Sequence, residues 1–344
     1  MAGKTKVTIS DVARTAGVSN SAVSYALNGK PGVSEDTREK VLKVAEQMGW
    51  KPNMAAKALS DASTRTVGLV IEVDSEALSV ESYFMELIAG LGDALEDYDY
   101  SLLVRIVSDS QSAMRIHRNW IATGSVDAML VMNVEVGDPR IDFYKEHSAM
   151  PVLAIADPSV THGLPSMTSD DAEGARMIVD YLHELGHTHI ARVAGSERYA
   201  HTFIRDRAFM EESASLGMTC DCLHSDYSPE QGRDMTNRLF AFNDSPTAIV
   251  YDNDVMAIEA LHVAAERGLS VPDDISIMSW DDSFACTATT PGITALWRDI
   301  PRLGAKAVPM LMDLIEGNTV ENAMESPYEL VQRGSTGAPK IVGE

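Results

Sequence analysis

Asn20, Ser21 and Tyr25 stand in a short segment whose other members are Ala, Val, Ser and Leu. At helical spacing they share the face opposite Val23 and Ala26, so an amide, a hydroxyl and a phenol project together. Groups of this kind donate to and accept from base edges. The major groove of B-DNA admits one α-helix, and the side chains of its N-terminal turn reach those edges. The chemistry on offer is recognition rather than bond breaking. No G-x-S-x-G elbow and no Walker A loop occurs in the chain, which leaves the common acyl-transfer and nucleotide-hydrolysis machinery without its parts.

Two helices must position these groups. Thr8 can cap the first, with Asp11 three residues later completing a capping box, and Val12, Ala13 and Ala16 line one face. Gly17 stops that helix in the left-handed conformation. Ser19 caps the second, whose Val23, Ala26 and Leu27 again share a face. Helix, short turn with glycine, helix is the outline of a helix-turn-helix. On pattern alone, a small helical hairpin with no DNA role is the competing reading. A third helix starts at Ser34, carries Glu35 and Asp36 in its first turn and ends at Gly49.

The run from Thr8 to Leu59 resembles the DNA-binding headpiece of the lactose-repressor (LacI/GalR) family. Its motifs stand here as Asp11-Val12-Ala13, Ala16-Gly17-Val18-Ser19, Val23-Ser24, Leu27-Asn28, Val33-Ser34, Thr37-Arg38 and Gly49-Trp50-Lys51-Pro52-Asn53. The resemblance implies DNA contacts from Thr8, Ser19, Asn20, Ser21, Ser24 and Tyr25, continued by Asn28 and Lys30. It also implies a hinge helix over 54–60 with contacts from Asn53, Ala56 and Lys57, and with Leu59 as a wedge in the minor groove. One position departs from the family. Tyr25 stands where an arginine is usual, and a phenol cannot grip guanine through two hydrogen bonds.

The net charge of −23 looks hostile to nucleic acid until it is divided. Residues 1–65 hold ten Lys and Arg against six Asp and Glu, a net of +4, so the remainder carries −27. A basic head on an acidic body is drawn to phosphate by one end only. Three cysteines, Cys220, Cys222 and Cys286, make no disulfide framework and suit a reducing compartment. No apolar stretch of membrane-spanning length occurs. The N-terminus lacks the apolar core of a secretory signal. The expected setting is therefore the cytoplasm, with no membrane partner.

Beyond the polar segment 60–66, short apolar runs alternate with helical stretches. Runs at 67–71, 102–107, 128–132 and 152–155 read as buried parallel strands, with helices near 82–97, 111–123 and 138–148. A second set at 190–194, 248–251 and 275–278 is accompanied by helices near 170–185, 201–217, 229–242 and 254–267. The predicted fold class is α + α/β: the headpiece and hinge helix, then two doubly wound lobes. The expected domains are a headpiece at 1–51, a hinge and linker at 52–65, an effector-binding body at 66–335 and a tail at 336–344. Within the body, lobe 1 is set at about 66–163 and 291–324, and lobe 2 at about 164–290 and 325–335.

The resemblance extends to the body through Leu185-Gly186-His187, Asn253-Asp254, Val271-Pro272-Asp273-Asp274, Asp281-Asp282 and the ending 329–335. It implies two lobes of periplasmic-binding-protein type with an effector between them. Carried over by position, the pocket holds Tyr83, Phe84, Asp157, Asp171 and Arg205, then Tyr227, Asn253, Asp281, Trp297 and Arg298. Ala208 replaces the family's glycine in the motif around Arg205. Carboxylates, Asn and Arg suit vicinal hydroxyls and aromatic faces suit sugar rings, so a sugar effector is expected. His183, His187 and His189 cluster near a helix end, but the resemblance makes His187 structural, and neither a metal nor a cofactor is implied. The chain reads as a homodimeric repressor on a near-palindromic DNA operator. The alternative is a corepressor-dependent regulator that answers to a purine or other small metabolite.

Overall fold

The structure, a computed structural model, describes residues 7–50, 63–73 and 82–340. The chain divides into two units between Thr64 and Arg65.

The first unit contains α1 (Ile9–Ala16), α2 (Asn20–Leu27) and α3 (Glu35–Gln47). The start of α1 closes the expected capping box. Thr8 Oγ1 accepts from the Asp11 N–H at 3.4 Å, while Asp11 Oδ2 accepts from the Thr8 N–H at 3.0 Å. Gly17, at φ +67°, ends the helix. Ser19 and Ser34 cap α2 and α3 through their hydroxyls. Val12, Ala13, Ala16, Val23, Ala26, Val41 and Ala45 make a core of small side chains, which lets three short helices approach closely. Arg38 locks α3 to the end of α2 by donating to the carbonyls of Ala26 and Lys30, each at 3.1 Å. The expected hinge helix, with Asn53, Ala56, Lys57 and Leu59, lies outside the described residues.

The second unit holds two six-stranded sheets. The first comprises β1 (Thr66–Glu72), β2 (Ser101–Val107), β3 (Ala128–Met132), β4 (Val152–Ile155), β5 (Ser166–Thr168) and a late strand, β11 (Ala323–Met324). Its order is β11-β5-β4-β3-β1-β2, parallel throughout. The second comprises β6 (His189–Ala194), β7 (Thr219–His224), β8 (Ala248–Tyr251), β9 (Ser276–Ser279), β10 (Thr294–Trp297) and β12 (Glu329–Val331). Its order is β12-β10-β9-β8-β6-β7, with β12 alone antiparallel. Strands β3 and β8 are buried along their whole length, because helices cover both faces of each sheet.

The chain passes between the lobes three times: after Thr168, after Trp297 and after Met324. The expected lobe boundaries are corrected accordingly. The strand at 166–168 belongs to the first sheet rather than to lobe 2, and the strand at 294–297 to the second rather than to lobe 1. The helix Ile300–Ile315 and the strand β11 after it return to lobe 1, where the helix crosses the helix Ser82–Glu96 at very short range. A Cβ on Gly90 would lie 2.2 Å from the Pro301 carbonyl oxygen, and one on Gly304 would lie 2.6 Å from the Leu91 nitrogen. The expected tail is not loose over its described part. Thr336 bonds Tyr181 at 2.7 Å, and the Gly337 carbonyl meets His187 at 3.0 Å.

Candidate functional site

The headpiece presents Asn20, Ser21, Tyr25, Asn28 and Lys30 as exposed side chains, with Ser24 half-buried between them. Their supports differ. The Asn20 amide donates to Ser10 Oγ at 3.1 Å, which ties it to α1. Tyr25 lies over Gly32, where an added Cβ would approach the ring to 3.1 Å. Asn28 ends α2 and donates to Ser24 Oγ at 3.4 Å. Thr8 and Ser19 spend their hydroxyls on caps. Among the described residues the face opposite Val23 and Ala26 is therefore polar and exposed.

In the second unit, a cavity of about 740 Å³ lies where the C-terminal ends of both sets of parallel strands face each other. Doubly wound sheets leave their ligand crevices at these ends. Of the ten expected pocket residues, eight line it: Tyr83, Phe84, Asp157, Asp171, Arg205, Tyr227, Asp281 and Arg298. The other two are corrected. Asn253 is buried behind the wall. Its Oδ1 caps the helix Asp254–Glu266 through the Met256 N–H at 3.0 Å, and its Nδ2 donates to the Tyr227 carbonyl at 3.1 Å. Trp297 ends β10 with 38% of its surface exposed, away from the cavity.

Asp252, one residue earlier, holds the place given to Asn253. It is wholly buried and grips Arg192 through two oxygens, Nε at 3.0 Å and Nη2 at 2.7 Å, while accepting from the Gly195 N–H at 2.9 Å. Arg205 Nη1 is 3.9 Å away. Arg205 itself donates Nε to Asp171 Oδ1 at 2.8 Å, with its guanidinium 3.9 Å from the Trp280 ring centroid. Tyr328 also donates to Asp171, at 3.1 Å. Burial alone would raise the carboxyls of Asp171 and Asp252. The guanidiniums beside them, Arg205 for the first and Arg192 for the second, outweigh it and hold both below the ordinary carboxylate range.

Arg298 sits at the floor. It donates to Ser169 Oγ at 2.8 Å and Glu325 Oε1 at 3.1 Å, lies 3.5 Å from Asp281, and packs against the rings of Tyr83 and Tyr328. Burial pushes the Asp281 carboxyl up to about 6, against the pull of Arg298. At the mouth, Arg198 of the second lobe reaches Glu72 at 2.6 Å and Glu135 at 2.9 Å, both in the first lobe. His201 donates to or accepts from the Tyr227 hydroxyl at 2.9 Å and stacks on Tyr199 at 5.4 Å. Burial, with Arg205 nearby, pushes His201 down to about 4, so it is neutral at physiological pH. Arg198, Tyr199 and His201 carry no short motif and were not expected in the pocket.

One metal-type spacing is present and is disarmed by the fold. His183-Glu184-Leu185-Gly186-His187 reads H-E-x-x-H, which binds zinc only when both histidines share one helical face. Here the helix Asp171–Glu184 ends before the second histidine, with Gly186 at φ +97°. His183 is exposed, whereas His187 is buried between Thr247 Oγ1 at 2.8 Å and the Gly337 carbonyl at 3.0 Å. His187 is a structural histidine, as the resemblance implied. Asp206, Cys222 and His224 also converge, but Asp206 already accepts from His224 at 2.8 Å and from Cys222 at 3.1 Å, and it pairs with Arg192.

Comparison with known proteins agrees with both halves. Residues 8–53 match the bacterial regulatory proteins of the lacI family, and residues 179–336 match a periplasmic binding protein-like domain. Catabolite control protein A of Priestia megaterium is 31% identical, over 96% of this chain and 99% of its own length. A LacI family transcriptional regulator from Bifidobacterium animalis subsp. lactis is 49% identical, with a TM-score of 0.76 over 80% of this chain and 99% of that one. The regulator CelR in complex with cellobiose is 25% identical, with a TM-score of 0.72 over 96% of this chain and 100% of that one. The lac repressor dimer bound to operator is 26% identical, with a TM-score of 0.84 over 97% of this chain and 100% of that one. The chain belongs to the lacI family of bacterial regulatory proteins, and it is a DNA-binding transcriptional regulator rather than an enzyme.

Proposed function

We propose that this regulator represses carbohydrate-utilisation genes as a cytoplasmic homodimer and leaves its near-palindromic operator when a small sugar enters the cavity. Each α2 reads one half-site through Asn20, Ser21 and Tyr25, while headpiece lysines and arginines neutralise phosphates. Among the described residues no helix is long and apolar enough to cross a membrane. The observation that carries the effector class is the cavity itself. Tyr83, Tyr199 and Tyr227 supply ring faces, and Asp171, Arg205, Asp281 and Arg298 supply fixed donors and acceptors for vicinal hydroxyls. CelR, with the same fold, holds cellobiose. A sugar that binds one arrangement of the lobes better than the other shifts the dimer away from the DNA-competent state, a coupling of typically ~1–3 kcal/mol.

The test is a thermal-shift screen of the full chain against mono- and oligosaccharides, with purines as the comparison class. A sugar must raise the melting temperature by mass action, Arg205→Ala must abolish the rise, and the same sugar must lower operator affinity in fluorescence anisotropy. A purine alone giving the shift, or a sugar that tightens operator binding, would defeat the proposal.

A further inference from the structure

We infer that the effector carries no anionic group: the cavity is built for a neutral saccharide and against sugar phosphates and uronic acids, an inference that rests on the saccharide reading above. Among the described residues the cavity is lined by seven carboxylates against three guanidiniums, and by no lysine. An anion site needs a cation with bonds to spare, most often an arginine offering two parallel donors. All three arginines here are paired with acids of the protein, and the unpartnered Nε of Arg298 is buried in a guanidinium whose other nitrogens face Ser169, Glu325 and Asp281.

Each guanidinium is already claimed by acids of the protein itself. Arg198 is held by Glu72 and Glu135, Arg205 by Asp171 with Asp252 close behind, and Arg298 by Glu325 and Asp281. Arg198 lies on the Tyr199 ring, and the two buried guanidiniums lie on rings as well, Arg205 on Trp280 and Arg298 on Tyr83 and Tyr328. Turning either toward a phosphate would break those contacts and strand a buried carboxylate.

Two of the helix starts at the cavity give the same answer. The helices Asp171–Glu184 and Pro229–Leu239 carry Asp171, Glu173 and Glu230 in their first turns, so the protein's own acids occupy the favourable end of each dipole. The helix Ala200–Ser215 has no acid in its first turn and no side-chain cap. Its start, like that of the helix Ser82–Glu96, leaves an opening for an anion, but Asp226 and Glu230 line the same cavity. His201 adds no positive charge there, since burial keeps it neutral.

The distinguishing experiment uses matched sugars on the full-length protein by isothermal titration calorimetry: glucose and galactose, cellobiose and lactose, each beside its 6-phosphate or its uronic or aldonic acid. The expected result is that a neutral member binds and its anionic counterpart binds at least ~10-fold more weakly, with the gap narrowing as salt rises. The double variant Asp226→Asn with Glu230→Gln, both exposed at the rim, should narrow the gap several-fold without loss of the neutral ligand. An anionic sugar that binds as well as its neutral counterpart, or a gap that neither salt nor the rim variant changes, overturns the inference and leaves the saccharide reading standing. If only purines bind, both fall together.

Discussion

Replacing Asp252 by alanine offers the most direct measure of how this cavity is held. Its carboxylate is fully buried and takes three contacts of 3.0 Å or less from Arg192 together with the Gly195 N–H at 2.9 Å. Arg192 is itself wholly buried, packed 5.3 Å from the centre of the Phe209 ring, and would keep only Asp206 as a partner. Breaking one side of a buried ion pair costs about 3–5 kcal/mol, since the remaining charge stays out of water. For a unit of this size each kcal/mol shifts the melting temperature by about 2–4 °C, so the main transition should fall by roughly 6–20 °C. Differential scanning calorimetry of the full chain, with far-UV circular dichroism at 25 °C to verify folding, provides the readout. Asp252→Asn, which keeps an acceptor for Arg192 but loses the charge, should fall between wild type and alanine. A variant melting within about 2 °C of wild type would refute the assignment of Arg192 and Asp252 as a mutually dependent pair.

Two further outcomes follow from the same reasoning. His117 is buried against Tyr144, and burial pushes it down to about 4, as it does His201. Both are neutral when folded and take a proton near 6.5 when unfolded, so their stabilisation is complete above pH 6.5 and drains away as pH falls toward 4. His117→Gln should flatten the slope of urea-unfolding free energy against pH in that window by about 1.4 kcal/mol per unit, and an unchanged slope would show that His117 is protonated in the fold. Gly90→Ala forces a Cβ to 2.2 Å from a backbone oxygen of the crossing helix and should cost about 1–3 kcal/mol, whereas Gly92→Ala, on the same helix with open space around it, should be neutral or stabilising. Equal melting temperatures for the two variants would mean that the helix pair is not packed at Gly90.

The headpiece was legible because its signals are local. Thr8 with Asp11, Ser19 with Ala22 and Ser34 with Thr37 each pair residues three apart, and Gly17 marks its own turn. The central strands were legible because burial on both faces requires unbroken apolar runs. Strand β7 was not: Thr219-Cys220-Asp221-Cys222-Leu223-His224 lies at a sheet edge, and one covered face leaves no such run. The transfer of 166–168 and 294–297 between lobes is a tertiary fact with no local mark. Asn253 was misplaced for a different reason. Two polar residues end β8, and the one before Asp254-Val255-Met256 is the natural helix cap, which leaves its neighbour Asp252 to face the cavity. That signal was present in the sequence and pointed to capping rather than binding.

The three passages between the lobes meet one side chain. Ser169 lies on the first passage, Arg298 on the second and Glu325 on the third, and the guanidinium of Arg298 bonds the other two. In mechanical terms, three separate tethers between two plates are fastened together at a single rivet. Moving one tether relative to the others stretches or breaks a bond to that guanidinium. The rivet is also part of the cavity floor. A ligand that reaches Arg298 therefore touches the one side chain to which all three tethers are fastened.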